Sequence, residues 1–209
     1  MSRESTQLLE PAADSPARRR IVAAARQHFF AHGFRGVTMD DLAAELGMSK
    51  KTLYAHFPSK AALLEAILLD KFTGVEAEVA KIAAEHSADF LTGLHELLAC
   101  ITRQTDEIKP PFVRDLQREA PETFRIVESR RRELIQRYFT RLLGEGRKEG
   151  LIRKDIPLPL IIEILLGATQ AIMNPPKMAE YGLTPKTGFS AIISVVLEGV
   201  VTNQGRAKL

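Results

Sequence analysis

From Arg19 onward, apolar residues recur at three- and four-residue intervals and no stretch alternates apolar with polar, so the pattern predicts an all-α chain. In RRIVAAARQHFFAHGFRGV, the residues Ile21, Val22, Ala25, Phe29 and Phe30 share one helical face, the helix closes at Gly33, and Phe34 and Val37 complete a small core. A second helix opens at Thr38, whose hydroxyl can accept from an orphan backbone N–H, with Asp40 and Asp41 at the positive end of the helix dipole. Its inward set is Leu42, Ala43 and Leu46, and Gly47 supplies the left-handed exit. Ser49 then caps a third helix, Lys50 to Phe57, with Leu53 and Phe57 inward at i and i+4. Pro58 ends it, and Ser59 caps a helix beginning at Lys60.

Beyond Ala61 the helical period persists, punctuated by prolines. Leu63, Leu64, Ile67, Leu68 and Phe72 mark a fourth helix; others are expected near 86–107, just after Pro111, from Pro121 to Glu149, from Leu158 to Met173 and from Pro185 to Val201. The run Ile156 to Pro176 has one charge in 21 residues, a density that raises a membrane reading. Glu163 at its middle, prolines at both ends and basic residues on both flanks argue against a span. The expectation is a helix covered on one side by its own core and on the other by a second copy. The last helix, FSAIISVVLEGVV, has the same character, with small residues at Ala191 and Gly199.

Two short helices around a glycine-containing turn, 38–57, make a helix-turn-helix. The side chains left outside, Lys50, Lys51, Thr52, Tyr54 and His56, are donors suited to phosphate oxygens and base edges, and Lys60 adds a cation at the next helix start. Charge is distributed to match. Residues 18–60 hold eight Lys or Arg against three acids, while residues 61–209 hold 20 of each, so the chain's net +3 is a basic head on a neutral body.

The stretch from Ile21 to Leu64 resembles the N-terminal domain of the TetR family of transcriptional regulators, above all in T-L-Y-x-H-F-x-x-K, here Thr52 to Lys60. The resemblance implies backbone contacts to DNA from Thr38, Thr52, Tyr54, His56 and Lys60, and base contacts from the first residues of the recognition helix, Lys50 and Lys51, following the Ser49 cap. Many family members have a small residue where Lys51 stands and an arginine where Ala55 stands, so operator preference does not carry over from relatives. It further implies a homodimer built from the helices near 158–173 and 185–201, reading a palindromic double-stranded operator, and a small-molecule inducer held in the body. Candidates for lining that pocket are Leu94, Leu98, Phe112, Phe124, Tyr138, Phe139 and Met173.

The resulting division is a disordered arm, 1–17, a three-helix DNA-binding domain, 18–64, and a larger helical ligand-binding and dimerisation domain, 65–209. Cys100 lies in an apolar helical face and is expected to be buried; a single cysteine excludes an internal disulfide and suits the cytoplasm. The N-terminal residues have no continuous apolar core, so no signal peptide is expected. His28 and His32 stand at metal-ligand spacing but lack a third ligand, and no cofactor loop or catalytic motif occurs, so neither metal, cofactor nor enzyme activity is expected. Arg130, Arg131 and Arg132, interleaved with Glu128 and Glu133, are expected on a solvated helix face. The alternatives are an architectural DNA-binding protein without a ligand and, behind it, an enzyme on a helical scaffold.

Overall fold

The computed structural model describes residues 15–86 and 89–207, and these are helical nearly throughout. The expected arm falls almost wholly outside them. Ser15 instead caps the first helix, α1 (Pro16–His32), through a hydrogen bond from the Arg18 amide, and Pro16 sits at a first-turn position whose amide needs no partner. The order continues α2 (Met39–Glu45), α3 (Lys50–His56), α4 (Lys60–Glu85), α5 (Phe90–Asp106), α6 (Pro110–Glu119), α7 (Pro121–Lys148), α8 (Leu158–Ile172), α9 (Pro175–Glu180), α10 (Pro185–Val200) and α11 (Asn203–Arg206). An isolated antiparallel bridge joins Ile152 to Val201. Helix α9 lies where the sequence shows only a pair of prolines, because proline in the first turn starts a helix as readily as it ends one.

The chain divides into two compact units. The first gathers the residues up to Gly74 with Lys109–Phe124; the second comprises Val75–Ile108 and Arg125–Leu209. Position 64 lies inside the unbroken helix α4, and α6, far along the chain, belongs with the helix-turn-helix.

In the first unit, Ile21, Ala25, Phe29, Leu42, Leu53, Phe57, Leu63 and Ile67 are all at most 1% exposed, a core assembled from α1 to α4. Helix α6 closes it. Phe112 meets Phe30 edge-on at 4.8 Å and Phe34 at 6.2 Å between ring centroids, the arrangement aromatic pairs prefer. The Lys109 amide donates to the Phe30 carbonyl at the end of α1 (2.9 Å). Phe112 is thus a core residue of the first unit, and Phe124 is assigned to the same unit.

In the second unit, α10 packs against both α8 and α5. Ile161, Ile162, Leu165 and Leu166 of α8 and Phe189, Ile192 and Ile193 of α10 are buried. Thr169, the polar residue of that buried face, gives its hydroxyl to the Leu165 carbonyl (2.7 Å). The opposite faces carry an exposed stripe of apolar or small residues, Leu160, Ile164, Gly167 and Ala171 on α8 and Ala191, Val195 and Gly199 on α10, beside the polar Gln170, Ser190, Ser194 and Glu198. Glu163, the charge in the apolar run, receives both oxygens' hydrogen bonds from Arg132. Among the described residues no helix is long and apolar enough to cross a membrane.

Candidate nucleic-acid interface

The helix-turn-helix is fixed by its caps. Thr38 and Asp41 form a reciprocal capping box: the Asp41 amide donates to the Thr38 hydroxyl (3.1 Å) while the Thr38 amide and hydroxyl donate to the Asp41 carboxylate (3.0 and 2.6 Å). The Thr38 hydroxyl, and next its amide, hold the Asp41 carboxyl below its ordinary range. Gly47, at φ +64°, turns the chain out of α2 in a conformation that costs glycine nothing. Ser49 caps α3, accepting from the Thr52 amide (3.1 Å), and its hydroxyl shares a 2.8 Å hydrogen bond with that of Thr52.

These caps, with Leu53 fully buried, rotate the rest of α3 outward. Lys50, Lys51 and Thr52 are exposed, Tyr54 is 46% exposed, and His56 is half-buried at the helix end. The ammonium of Lys50 is engaged by Asp40, which raises its pKa above the ordinary lysine value; Lys51 makes no ion pair among the described residues. Thr38 and Ser49 are exposed beside them, so seven of the eight expected contact residues lie on or next to the outer face of α3 and the start of α2.

Lys60 is placed differently. Its ammonium lies 2.7 Å from the Phe34 carbonyl, 3.0 Å from that of Val37 and 3.3 Å from that of Arg35, so its three donors are directed at the loop before α2. The arginines in the first turns of α1 also turn inward: Arg18 donates to the His56 carbonyl (2.9 Å) with its guanidinium 4.1 Å above the Phe57 ring, and Arg20 donates to the Leu46 carbonyl (2.9 Å). Both cations thus satisfy carbonyls at the C-terminal ends of α3 and α2, where the helix dipole is negative. Asp40, Arg18 and Arg20 were legible by type but not by role, since each partner lies on another element. His28 pairs with Glu45 (2.7 Å), tying α1 to α2, and stands 6.3 Å from His32 between ring centroids. Among the described residues no three His, Cys, Asp or Glu gather to hold a metal ion.

Openings among the described residues of the second unit include a cleft and a groove. A narrow cleft of about 30 Å³, room for little more than a water, is bounded by Val79, Ile82, His86, Gly93, Tyr138 and Arg141. A wider groove of about 500 Å³ lies between α5 and α10, lined by Leu98, Thr102, Phe189, Ile193, Leu197 and Glu198. Of the expected pocket residues, Tyr138 therefore faces the cleft and Leu98 the groove. Leu94, Phe139 and Met173 are core, the Met173 sulfur standing only 3.0 Å from where a Cβ on Gly188 would be. Cys100 is fully buried. His86 lies just past α4 and pairs with Glu96 of α5 (3.1 Å), while His95 is exposed. Of the three consecutive arginines at 130–132 on α7, Arg130 and Arg132 are solvated, but Arg131 is half-buried in an ion pair with Glu128. Burial pushes the Glu128 carboxyl up, against the pull of Arg131.

Residues 21–67 match the family described as bacterial regulatory proteins, tetR family. The HTH-type transcriptional regulator UidR of Escherichia coli (strain K12) is 23% identical over 191 residues, covering 90% of this chain and 94% of that protein. A TetR-family transcriptional regulator from Agrobacterium tumefaciens shares the fold at a TM-score of 0.65 and 21% identity, with 88% of this chain and 97% of that one aligned. A transcriptional regulator from Saccharomonospora viridis, solved in complex with choline, aligns at a TM-score of 0.62 and 21% identity over 91% of this chain and 100% of that one.

Proposed function

Because the chain belongs to the TetR family of bacterial regulatory proteins, we propose that this transcriptional regulator is a repressor that binds a palindromic operator as a twofold dimer and releases it on binding a small molecule. The observation that carries DNA reading is α3: a fully buried Leu53 fixes the helix, and Lys50, Lys51, Thr52 and Tyr54 stand exposed on its other side. Lys50 and Lys51, in the first turn, are the base readers; Thr38, Ser49, Thr52, Tyr54 and His56 hold backbone phosphates.

Dimerisation rests on one exposed stripe of each helix, Leu160, Ile164, Gly167 and Ala171 on α8 and Ala191, Val195 and Gly199 on α10, flanked by polar residues such as Gln170 and Ser194. Two recognition helices joined this way would read major grooves about 34 to 36 Å apart, or a small multiple of that. The groove between α5 and α10 is the favoured ligand site, being large enough for a small organic molecule and mostly apolar with a few hydroxyls and one carboxylate. Release then follows from unequal affinity of that ligand for two conformations of the dimer. The protein acts in the cytoplasm, where the DNA is.

The test is a fluorescence-anisotropy titration against duplexes selected from a random pool and against DNA upstream of its own gene, with excess unrelated DNA as competitor. Nanomolar, competitor-resistant binding at two chains per site, reversed by a compound from a small-molecule screen, supports every part of the proposal. Weak binding abolished by competitor would move the protein to an architectural role.

A further inference from the structure

Asp115 is one of few charged side chains buried among the described residues, at 9% exposure, and it lies on α6, 80 residues from its partner Arg35 in the loop that leads into the helix-turn-helix. A buried carboxylate is costly unless hydrogen-bonded. Here its Oδ2 accepts from the Arg35 backbone amide at 3.0 Å. Gly33 makes the approach possible: a Cβ there would stand 2.3 Å from the same oxygen, and its φ of +83° disfavours any other residue.

The same short segment is held from its other side. Lys60 points its ammonium at the carbonyls of Phe34, Arg35 and Val37. An anion thus takes the segment's N–H and a cation takes its C=O groups, each charge matched to the backbone dipole it meets. The segment ends at Thr38, which caps α2 and stands among the expected phosphate contacts. Phe112, one helical turn before Asp115, is packed against Phe30 and Phe34, so α6 is seated by an apolar contact and keyed by a polar one.

We propose that Asp115 is a positioning residue for DNA binding: with Lys60 it fixes the 33–37 segment and hence the placement of Thr38 and α2, without touching DNA itself. This rests on the reading of the helix-turn-helix as the DNA-binding surface. A seated α6 is accordingly part of the DNA-competent head.

The experiment compares the full-length wild type with Asp115→Ala and Asp115→Asn, titrating a selected operator at several salt concentrations, with thermal melts and amide exchange of each. Asp115→Ala should weaken operator binding by up to roughly tenfold, the limit reached if the whole worth of one buried hydrogen bond goes into re-placing Thr38 and α2 on DNA. The salt slope should equal the wild type's, because no phosphate contact is lost, and exchange at the Arg35 amide should accelerate. Asp115→Asn retains an acceptor oxygen and should restore most of the affinity. If the alanine variant unfolds, Asp115→Ser, polar but too short to reach the Arg35 amide, takes its place with the same expectation. Wild-type affinity in a folded Ala or Ser variant overturns the proposal, and so does a reduced salt slope, which would mark a phosphate contact. Failure of the wild type to bind any duplex overturns the DNA-binding reading itself and the proposal with it.

Discussion

The ammonium of Lys50 lies 2.5 Å from the carboxylate of Asp40, so the first cation of the recognition helix is already neutralised by the helix before it. In the proposed DNA complex Lys50 would exchange Asp40 for a phosphate or base acceptor, leaving Asp40 beside a polyanion. Asp40→Asn removes both costs. The variant is expected to bind random duplexes several-fold more tightly, with a salt slope steeper by about one per subunit and a smaller ratio of operator to random affinity. Anisotropy titrations of operator and random DNA over a salt series measure all three; unchanged random-DNA binding would show that the pair does not mask Lys50.

Lys51 is exposed and outside any ion pair among the described residues, which makes it the cation of α3 best placed to read a base. Lys51→Ala should cost roughly 1 to 3 kcal/mol at the preferred site and relax base preference at one position per half-site. Competition with a panel of singly substituted operators reads this out. Equal weakening on every duplex would assign Lys51 to a phosphate.

Val195 of α10 is 72% exposed and Ile164 of α8 52%, which places both on the surface that a second chain would cover in the proposed dimer. Val195→Glu and Ile164→Glu should each shift the protein from dimer toward monomer in sedimentation velocity without lowering the melting temperature of the isolated subunit. Operator affinity should fall with the dimer, since each half-site would be read alone. A variant that remains dimeric would move the interface elsewhere.

The Asp41 capping box has an acid limit. Its carboxyl titrates below the ordinary 3.8 because of the Thr38 hydroxyl and amide, so its contribution is fully present above about that pH and is lost as pH falls through the lowered folded value. Wild type should therefore melt above Asp41→Asn at neutral pH, and the two should converge as the pH is taken below 3.8. A gap that persists in acid would mean that the charge plays no part in the cap.

What could be read from the sequence follows from how local each cue is. Thr38, Ser49, Leu53 and Phe57 declare themselves within one or two turns, through capping and i, i+4 spacing, and the helix-turn-helix they predict is the one observed. The inward turn of Lys60, Arg18 and Arg20 was not legible, because a cation in the first turns of a helix looks the same whether it meets a phosphate or a carbonyl 26 or 38 residues away. Phe112 was grouped with the pocket candidates for the same reason: an aromatic in a short amphipathic helix does not announce which core it enters, and its partners Phe30 and Phe34 lie far back in the chain. Helix α9 was hidden by Pro175 and Pro176, whose effect on the chain before them is to break a helix and on the chain after them to begin one.

The seat of α6 also bears on how this regulator could be recombined with others. Cutting the chain once after α4 and grafting the leading piece onto a foreign body would leave Phe30 and Phe34 without Phe112, and the Arg35 amide without its acceptor. If the first unit reads DNA as proposed, that cassette is discontinuous, and a working chimera would import residues 110–119 together with residues 15–74. Glycine at 33 and an acid at 115 would then have to travel as a pair.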